Sequence, residues 1–315
     1  MITRRLLAPS SALSPTSWTC AACTRASLLS RTRMSNPSRR GLQQLPILSH
    51  AESFRNKGID GLLSPEGYKI AWVQYQTMMI QKLNSLLAGS PYENTKVKDL
   101  ALQFARDPQS ASIFNYASMA FNNHFFFSTF STAPRKLHQQ GKLEKSLLNT
   151  FGSVETLQTT FLDTADAMFG PGFVWLVWAR EPGAAGGLRG GSWRILVTYL
   201  AGTPFPEAGY RQQGIDMNTN NVQSFNNYLS DQPVNHVGAF GSFSQMGRDQ
   251  SKLPPGGANV MPVLCVNTWE HVWLRDYGMN GKRAFLRDWW SSIDWSVVES
   301  YAPSEAFNTG IFQSA

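Results

Sequence analysis

From Ser64 onward, Ile70, Val73, Ile80, Leu83 and Leu87 recur at helical spacing as far as Gly89, and polar residues fill the other face. Ser64-Pro65-Glu66 supplies a cap, a first-turn proline and an acid at the positive helix end, so a helix of about two dozen residues starts there. A second helical run covers about 94–106 and ends near Asp107-Pro108. A third, about 110–131, carries Phe114, Met119, Phe121, His124, Phe125 and Phe127. Long apolar faces of this kind pack as a helical hairpin. After Pro134 the pattern changes. Residues 142–150 and 154–168 still read as helices, the latter capped by Ser153 with Glu155 in its first turn. Phe173-Val174-Trp175-Leu176-Val177-Trp178 then reads as a strand, with 193–200 as its antiparallel partner across a Gly-rich loop at 182–192. A third strand is expected at 262–266, followed by short helices at about 268–275, 281–291 and 294–301. The fold class is α+β: a long helical hairpin, then an α/β part around a three-stranded antiparallel sheet.

The expected organisation follows from this pattern. Residues 1–50 form a targeting or disordered segment, 51–134 the hairpin, 135–305 the α/β domain and 306–315 a tail. A stretch at about 205–258, rich in Asn, Gln, Ser and Gly, interrupts the α/β domain as a polar insert. It reads either as a tolerated surface insertion or as a binding arm.

Charge changes the picture at one end only. The 315 residues carry a formal net charge of +7, yet Arg4, Arg5, Arg25, Arg31, Arg33, Arg39 and Arg40 all fall in the first fifty, which hold no lysine and no acid. Setting these seven aside leaves 21 basic residues against all 21 acidic ones, so the body is nearly neutral. An overall basic balance therefore does not signal a nucleic-acid-binding protein. An Arg-, Ser- and Leu-rich leader without acids until Glu52 has the composition of a mitochondrial transit peptide, cleaved between Arg33 and His50. The other reading is a basic tail for RNA or lipid. No uninterrupted apolar stretch is long enough to span a bilayer, so no membrane partner is expected. Cys20 and Cys23 form a lone C-x-x-C inside the leader, and Cys265 sits in an apolar run; no disulfide framework is implied.

The candidate chemistry lies in Asn267-Thr268-Trp269-Glu270-His271 and in Phe121-Asn122-Asn123-His124-Phe125-Phe126-Phe127. With Leu63–Leu87, Phe169-Gly170-Pro171-Gly172-Phe173-Val174-Trp175-Leu176-Val177 and Ala201-Gly202-Thr203-Pro204, these segments occur in an order that resembles the iron/manganese superoxide dismutase family. The likeness covers about 55–303 apart from the insert. It implies a site of three histidines and one aspartate around a redox metal. The matching positions here are Ala71, His124, Asn267 and His271. Two ligands are thus missing, and none of the five histidines lies between 51 and 123 to replace the first. Met79 stands where the family places its gateway tyrosine, Tyr75 where it often has a further histidine, and Phe173 where it has a pocket tryptophan. An amide gives a redox metal no anionic oxygen. The resemblance therefore implies no cofactor, no catalytic residue and no enzyme. His124 and His271 remain either as a vestigial site or as core residues. Glu270 is an interface candidate, since the family's glutamate reaches across a dimer; a local salt bridge is the competing reading.

A mitochondrial leader on this fold, with its site stripped, resembles the superoxide-dismutase-like proteins of the fungal mitochondrial ribosomal small subunit. That resemblance implies a structural role in the matrix, with small-subunit ribosomal proteins as partners and a second superoxide-dismutase-like chain alongside. Peripheral rRNA contact is possible through Arg135, Lys136, Lys282, Arg283 or Arg287, which otherwise are solvated surface. The alternative is a mitochondrial superoxide dismutase with an atypical metal site.

Overall fold

The structure, a computed structural model, describes residues 43–105, 107–180, 191–209 and 259–307. The leader up to residue 42 and most of the polar insert, 210–258, lie outside the described residues. Helix α1 (Ala51–Lys57) precedes the long first helix, which the pattern placed correctly but not in its details. That helix begins as α2 (Pro65–Tyr68), widens into a π-helical segment (Lys69–Gln74) and continues as α3 (Tyr75–Leu87). Ser64 caps it, its hydroxyl accepting from the Gly67 amide at 3.0 Å. Asp276 clamps the same end, accepting from the Ser64 amide at 2.8 Å and its hydroxyl at 2.7 Å. The fit is tight, because a Cβ on Gly67 would sit 2.1 Å from the Asp276 carboxylate.

Helices α4 (Val97–Phe104) and α5 (Ala111–Phe127) complete the hairpin, both shorter than their sequence pattern suggests. Before α4, the Gln43 side chain donates to the carbonyls of Glu93 and Thr95, at 2.8 and 2.7 Å, and holds them in a turn. After α5, the hydroxyls of Ser128 and Thr129 donate to the carbonyls of Phe125 and Phe126. Such local bonds compete with the backbone ladder and end the helix.

Helices α6 (Lys142–Phe151) and α7 (Val154–Ala167) lead to the sheet. Ser153 caps α7 by accepting from the Thr156 amide at 3.0 Å. Strand β1 (Gly172–Arg180) lies between β2 (Gly191–Tyr199) and β3 (Asn259–Asn267), antiparallel to both. A central strand covered on both faces needs a continuous apolar run, which explains why 173–178 lacks alternation. The β1–β3 register slips between Leu176 and Val177, where Pro262 offers no amide to the ladder. Gly172 opens β1 because a Cβ there would lie 2.3 Å from the Thr198 carbonyl oxygen.

Beyond the sheet come α8 (Pro206–Gly209), then α9 (Glu270–Tyr277), α10 (Lys282–Ser292), α11 (Trp295–Tyr301) and α12 (Ser304–Phe307). Two expectations shift here. The start of the expected insert belongs to the packed body: Phe205 is buried, packs against Phe121 with ring centroids 5.3 Å apart and planes tilted by 57°, and lies under the Lys98 ammonium. The expected tail from 306 also starts too early, since Ala306 is buried and its carbonyl accepts from Ser146 at 2.6 Å. One apolar core runs from Leu48, just ahead of α1, to Ala306, through Trp175, Trp178, Trp289 and Trp295. A smaller cluster of Leu83, Leu87, Leu100 and Phe114 closes the far end of the hairpin. No described helix is long and apolar enough to cross a membrane.

Candidate functional site

The candidate residues meet where three segments converge: the π-helical turn of the first helix, the middle of α5 and the junction of β3 with α9. Ala71 and Trp72 stand on the π-helical turn, both buried. A π-helical turn within an α-helix is rare and is found mostly at functional sites. Here it sits at the position where the resemblance placed the first ligand, and Ala71 offers only its backbone. Asn123 and His124 come from α5. Asn267 ends β3 opposite Phe173 on β1, and His271 lies in the first turn of α9. The helix after β3 starts at Glu270 rather than 268 because Thr268 is tied to Gly172: its amide donates to the Gly172 carbonyl at 2.9 Å.

A closed relay of side-chain amides occupies this junction. Gln76 donates from Nε2 to the Ala120 carbonyl at 2.9 Å. Its Oε1 accepts from Asn123 Nδ2 at 3.0 Å, and the same nitrogen lies 3.3 Å from the Ala71 carbonyl oxygen. Asn123 Oδ1 accepts from Asn267 Nδ2 at 3.3 Å, and Asn267 Oδ1 accepts from the Trp269 amide at 2.9 Å. Gln76, Asn123 and Asn267 are each 1% exposed or less. Buried amides are costly unless both ends are bonded, and here each donor meets the next acceptor. The sequence pattern did not point to Gln76 or Asn123. Asn123 was visible only as the neighbour of His124, and Gln76 had no signal beyond being a polar residue on a helix whose inner face is apolar.

The two histidines flank the relay without joining it. His271 stacks on Tyr75, ring centroids 3.9 Å apart and planes 17° apart. Its Nε2 is buried with no hydrogen-bond partner among the described residues, and burial pushes its pKa down to about 4. Burial likewise raises Tyr75 to about 12, with neighbouring Tyr116 adding to the effect. His124 leans on Trp72 at 5.9 Å and is also held below its ordinary value by burial. Both rings are therefore neutral at physiological pH. Met79 is buried in the core.

Glu270 is half-buried in the first turn of α9, where a carboxylate suits the helix dipole. Partial burial lowers the Lys282 ammonium, and the nearby Asp166 and Glu270 carboxylates oppose that shift. Lys282 donates to the carbonyls of Met168 at 2.8 Å and Asp166 at 3.2 Å. Glu270 makes no ion pair with it within bonding distance among the described residues.

A redox metal of the kind the fold family implies needs an anionic oxygen and several imidazoles. The residues present do not fit it. Ala71 has no donor atom. The Asn267 amide is neutral, and both its ends are spent on Asn123 and Trp269. Among the described residues no group of three or more His, Cys, Asp or Glu is placed to hold an ion. Cys265 is fully buried, and its thiol is pushed well above its usual range by burial.

Comparison with known proteins shows what this chain is similar to. The model of the iron/manganese superoxide dismutase C-terminal domain matches residues 139–189 and 218–301. The match breaks after the first strand and resumes inside the polar stretch expected as an insert. The chain is similar to two Schizosaccharomyces pombe proteins. With small ribosomal subunit protein mS43 it is 28% identical over 76% of this chain and 78% of the relative. With small ribosomal subunit protein mS42 it is 28% identical over 64% of this chain and 71% of the relative. It is also 24% identical to an iron superoxide dismutase of Babesia bovis, over 75% of this chain and 85% of that enzyme.

Proposed function

We propose that the chain is a non-enzymatic structural component of the mitochondrial ribosomal small subunit, on its similarity both to the iron/manganese superoxide dismutase C-terminal domain and to two small ribosomal subunit proteins. The observation that carries this reading is the amide relay. Gln76, Asn123 and Asn267 satisfy one another where a dismutase would spend a carboxylate on its metal. A neutral, hydrogen-bonded junction ties the hairpin to the sheet without any ion. Ala71, His124, Asn267 and His271 are on this reading the remains of a ligand set, and no cofactor is held there.

The Arg-rich leader directs the chain to the mitochondrial matrix and is removed by a cut between Arg33 and Gln43, because Gln43 and Leu48 are bonded and packed into the body. The hairpin, with its packed lead-in from Gln43, and the α/β part through Ala306 remain as the assembled body. Two relatives that resemble this chain occur together in one fungus. The partners are accordingly other small-subunit proteins and a second chain of the same fold, paired through the surface around Glu270 and the hairpin helices. Sedimentation tests the assignment. In a magnesium-containing gradient of mitochondrial extract, the tagged chain is expected to migrate with the small subunit. Recovery only from the light fractions would overturn it.

A further inference from the structure

Building on that reading, we infer that the exposed cationic strip spanning 132–145 docks on the phosphate backbone of double-helical ribosomal RNA. It carries Arg135, Lys136, His138, Lys142 and Lys145, all exposed. None has an ion pair among the described residues. The one acid of the strip, Glu144, is turned onto the Gln140 amide. Several cations elsewhere are already engaged. Arg180 pairs with Glu305 at 2.7 Å, Arg283 bridges Asp163 and Asp166, and Lys282 is held by two carbonyls. Of the exposed candidates read from the sequence, Arg135 and Lys136 remain in a cluster of unspent charge. Lys282 and Arg283 drop out.

The strip is held in place. The Arg135 carbonyl accepts from the Trp295 amide at 2.9 Å, and the Thr129 carbonyl accepts from Asp294 at 3.0 Å. Leu137 packs against the core, and the Gly141 amide closes a turn on His138 at 2.9 Å. The backbone that carries these cations is therefore ordered before anything binds, which leaves only the side chains to be fixed. Two of them are also poorly placed in the free protein. Lys142 and Lys145 sit at the N-terminal end of α6, the positive end of the helix dipole. A bound anion relieves that conflict.

The chemistry selects the occupant. The strip's exposed apolar side chains are only those of Ala133 and Pro134, too small to anchor in a lipid surface. Its one ring is the imidazole of His138, and it has no Phe, Tyr or Trp to anchor a protein interface or to build a stacking platform for unpaired bases. Unspent positive charge alone fits a continuous line of phosphates, read without sequence preference.

The test uses the full chain and a fluorescent RNA duplex, with affinity measured across a salt series. The variant R135E/K136E/K142E/K145E is compared with the control K57E/K82E/K96E/R275E, which makes the same change in charge on other exposed positions. The Arg-rich leader is common to all three proteins and cancels. Each phosphate contact contributes about 0.9 to the slope of log affinity against log salt, so the strip variant, with four cations gone, is expected to lose about 3.6 from the slope and the control little. Equal losses in the two variants would overturn the inference. So would an unchanged RNA slope in the strip variant together with lost binding to phosphatidylserine vesicles. The gradient separates the two readings. A slope lost by a chain that sediments light faults the ribosomal assignment, and a slope kept by a chain that co-sediments faults the strip.

Discussion

Replacing Asn267 by aspartate restores the element that the dismutase ligand set asks for, and the structure says that it harms the protein. Asn267 is fully buried, its Nδ2 donating to Asn123 Oδ1 at 3.3 Å and its Oδ1 accepting from the Trp269 amide at 2.9 Å. A protonated carboxyl reproduces both bonds, because its hydroxyl donates to Asn123 and its carbonyl accepts from Trp269. An ionised carboxylate instead faces Asn123 Oδ1, acceptor against acceptor, with no cation beside it. The native state therefore keeps the proton, while the unfolded chain releases it near the ordinary aspartate value of about 3.9. Holding that proton at pH 7 costs about 1.4 kcal/mol per unit over about three units, or about 4 kcal/mol. The sign follows from a folded pKa raised above the unfolded one: the variant nearly matches the parent at about pH 4 and loses ground as pH rises. Urea unfolding of Asn267→Asp and the parent chain across that range measures the difference. Manganous or ferrous ion is expected to leave it unchanged, since Ala71 contributes no donor. A difference independent of pH, or one that the metal abolishes, would refute the reasoning.

The remaining predictions use the same surroundings. Asn123→Ala leaves Gln76 Oε1 and the Asn267 amide without partners in a dry site, and is expected to cost about 3 kcal/mol in denaturant unfolding. His271 is depressed to about 4 by burial, so the folded state resists the proton that the unfolded chain takes up below about 6.5. Stability attributable to this ring falls by up to about 3 kcal/mol as pH drops through that window, and His271→Phe is expected to flatten that part of the pH–stability curve. Asp276→Ala removes two exposed hydrogen bonds at the start of the first helix and is expected to lower stability by about 1–2 kcal/mol, read as a drop in melting temperature.

Much of the fold was legible because its signals are local. Ser64-Pro65 and Ser153 cap the helices they were expected to cap, and the unbroken apolar run at 173–178 is the central strand. The sheet order needed the structure, since nothing in the pattern of 262–266 says which edge of β1 it joins. The shortened ends of α4 and α5 came from side chains far off or outside the periodic pattern, Gln43 in one case and Ser128 with Thr129 in the other. At the site, the resemblance implied which donors were absent but not what had replaced them. Gln76 and Asn123 are 47 residues apart, and the relay exists only once the hairpin closes. Spacing along the chain also says nothing about which cations are already paired. Lys282 and Arg283 looked equivalent to Arg135 and Lys136 until the former were found bonded to the end of α7.

The central claim is that hydrogen-bonded amides have taken over the place of a metal ion. Its most direct test is the metal content of the chain purified under native conditions from cells grown with ample iron and manganese. Elemental mass spectrometry is expected to find either metal far below one equivalent per chain. One bound ion per chain, lost together with the Asn267→Asp pH effect when His124 and His271 are both replaced, would contradict the account.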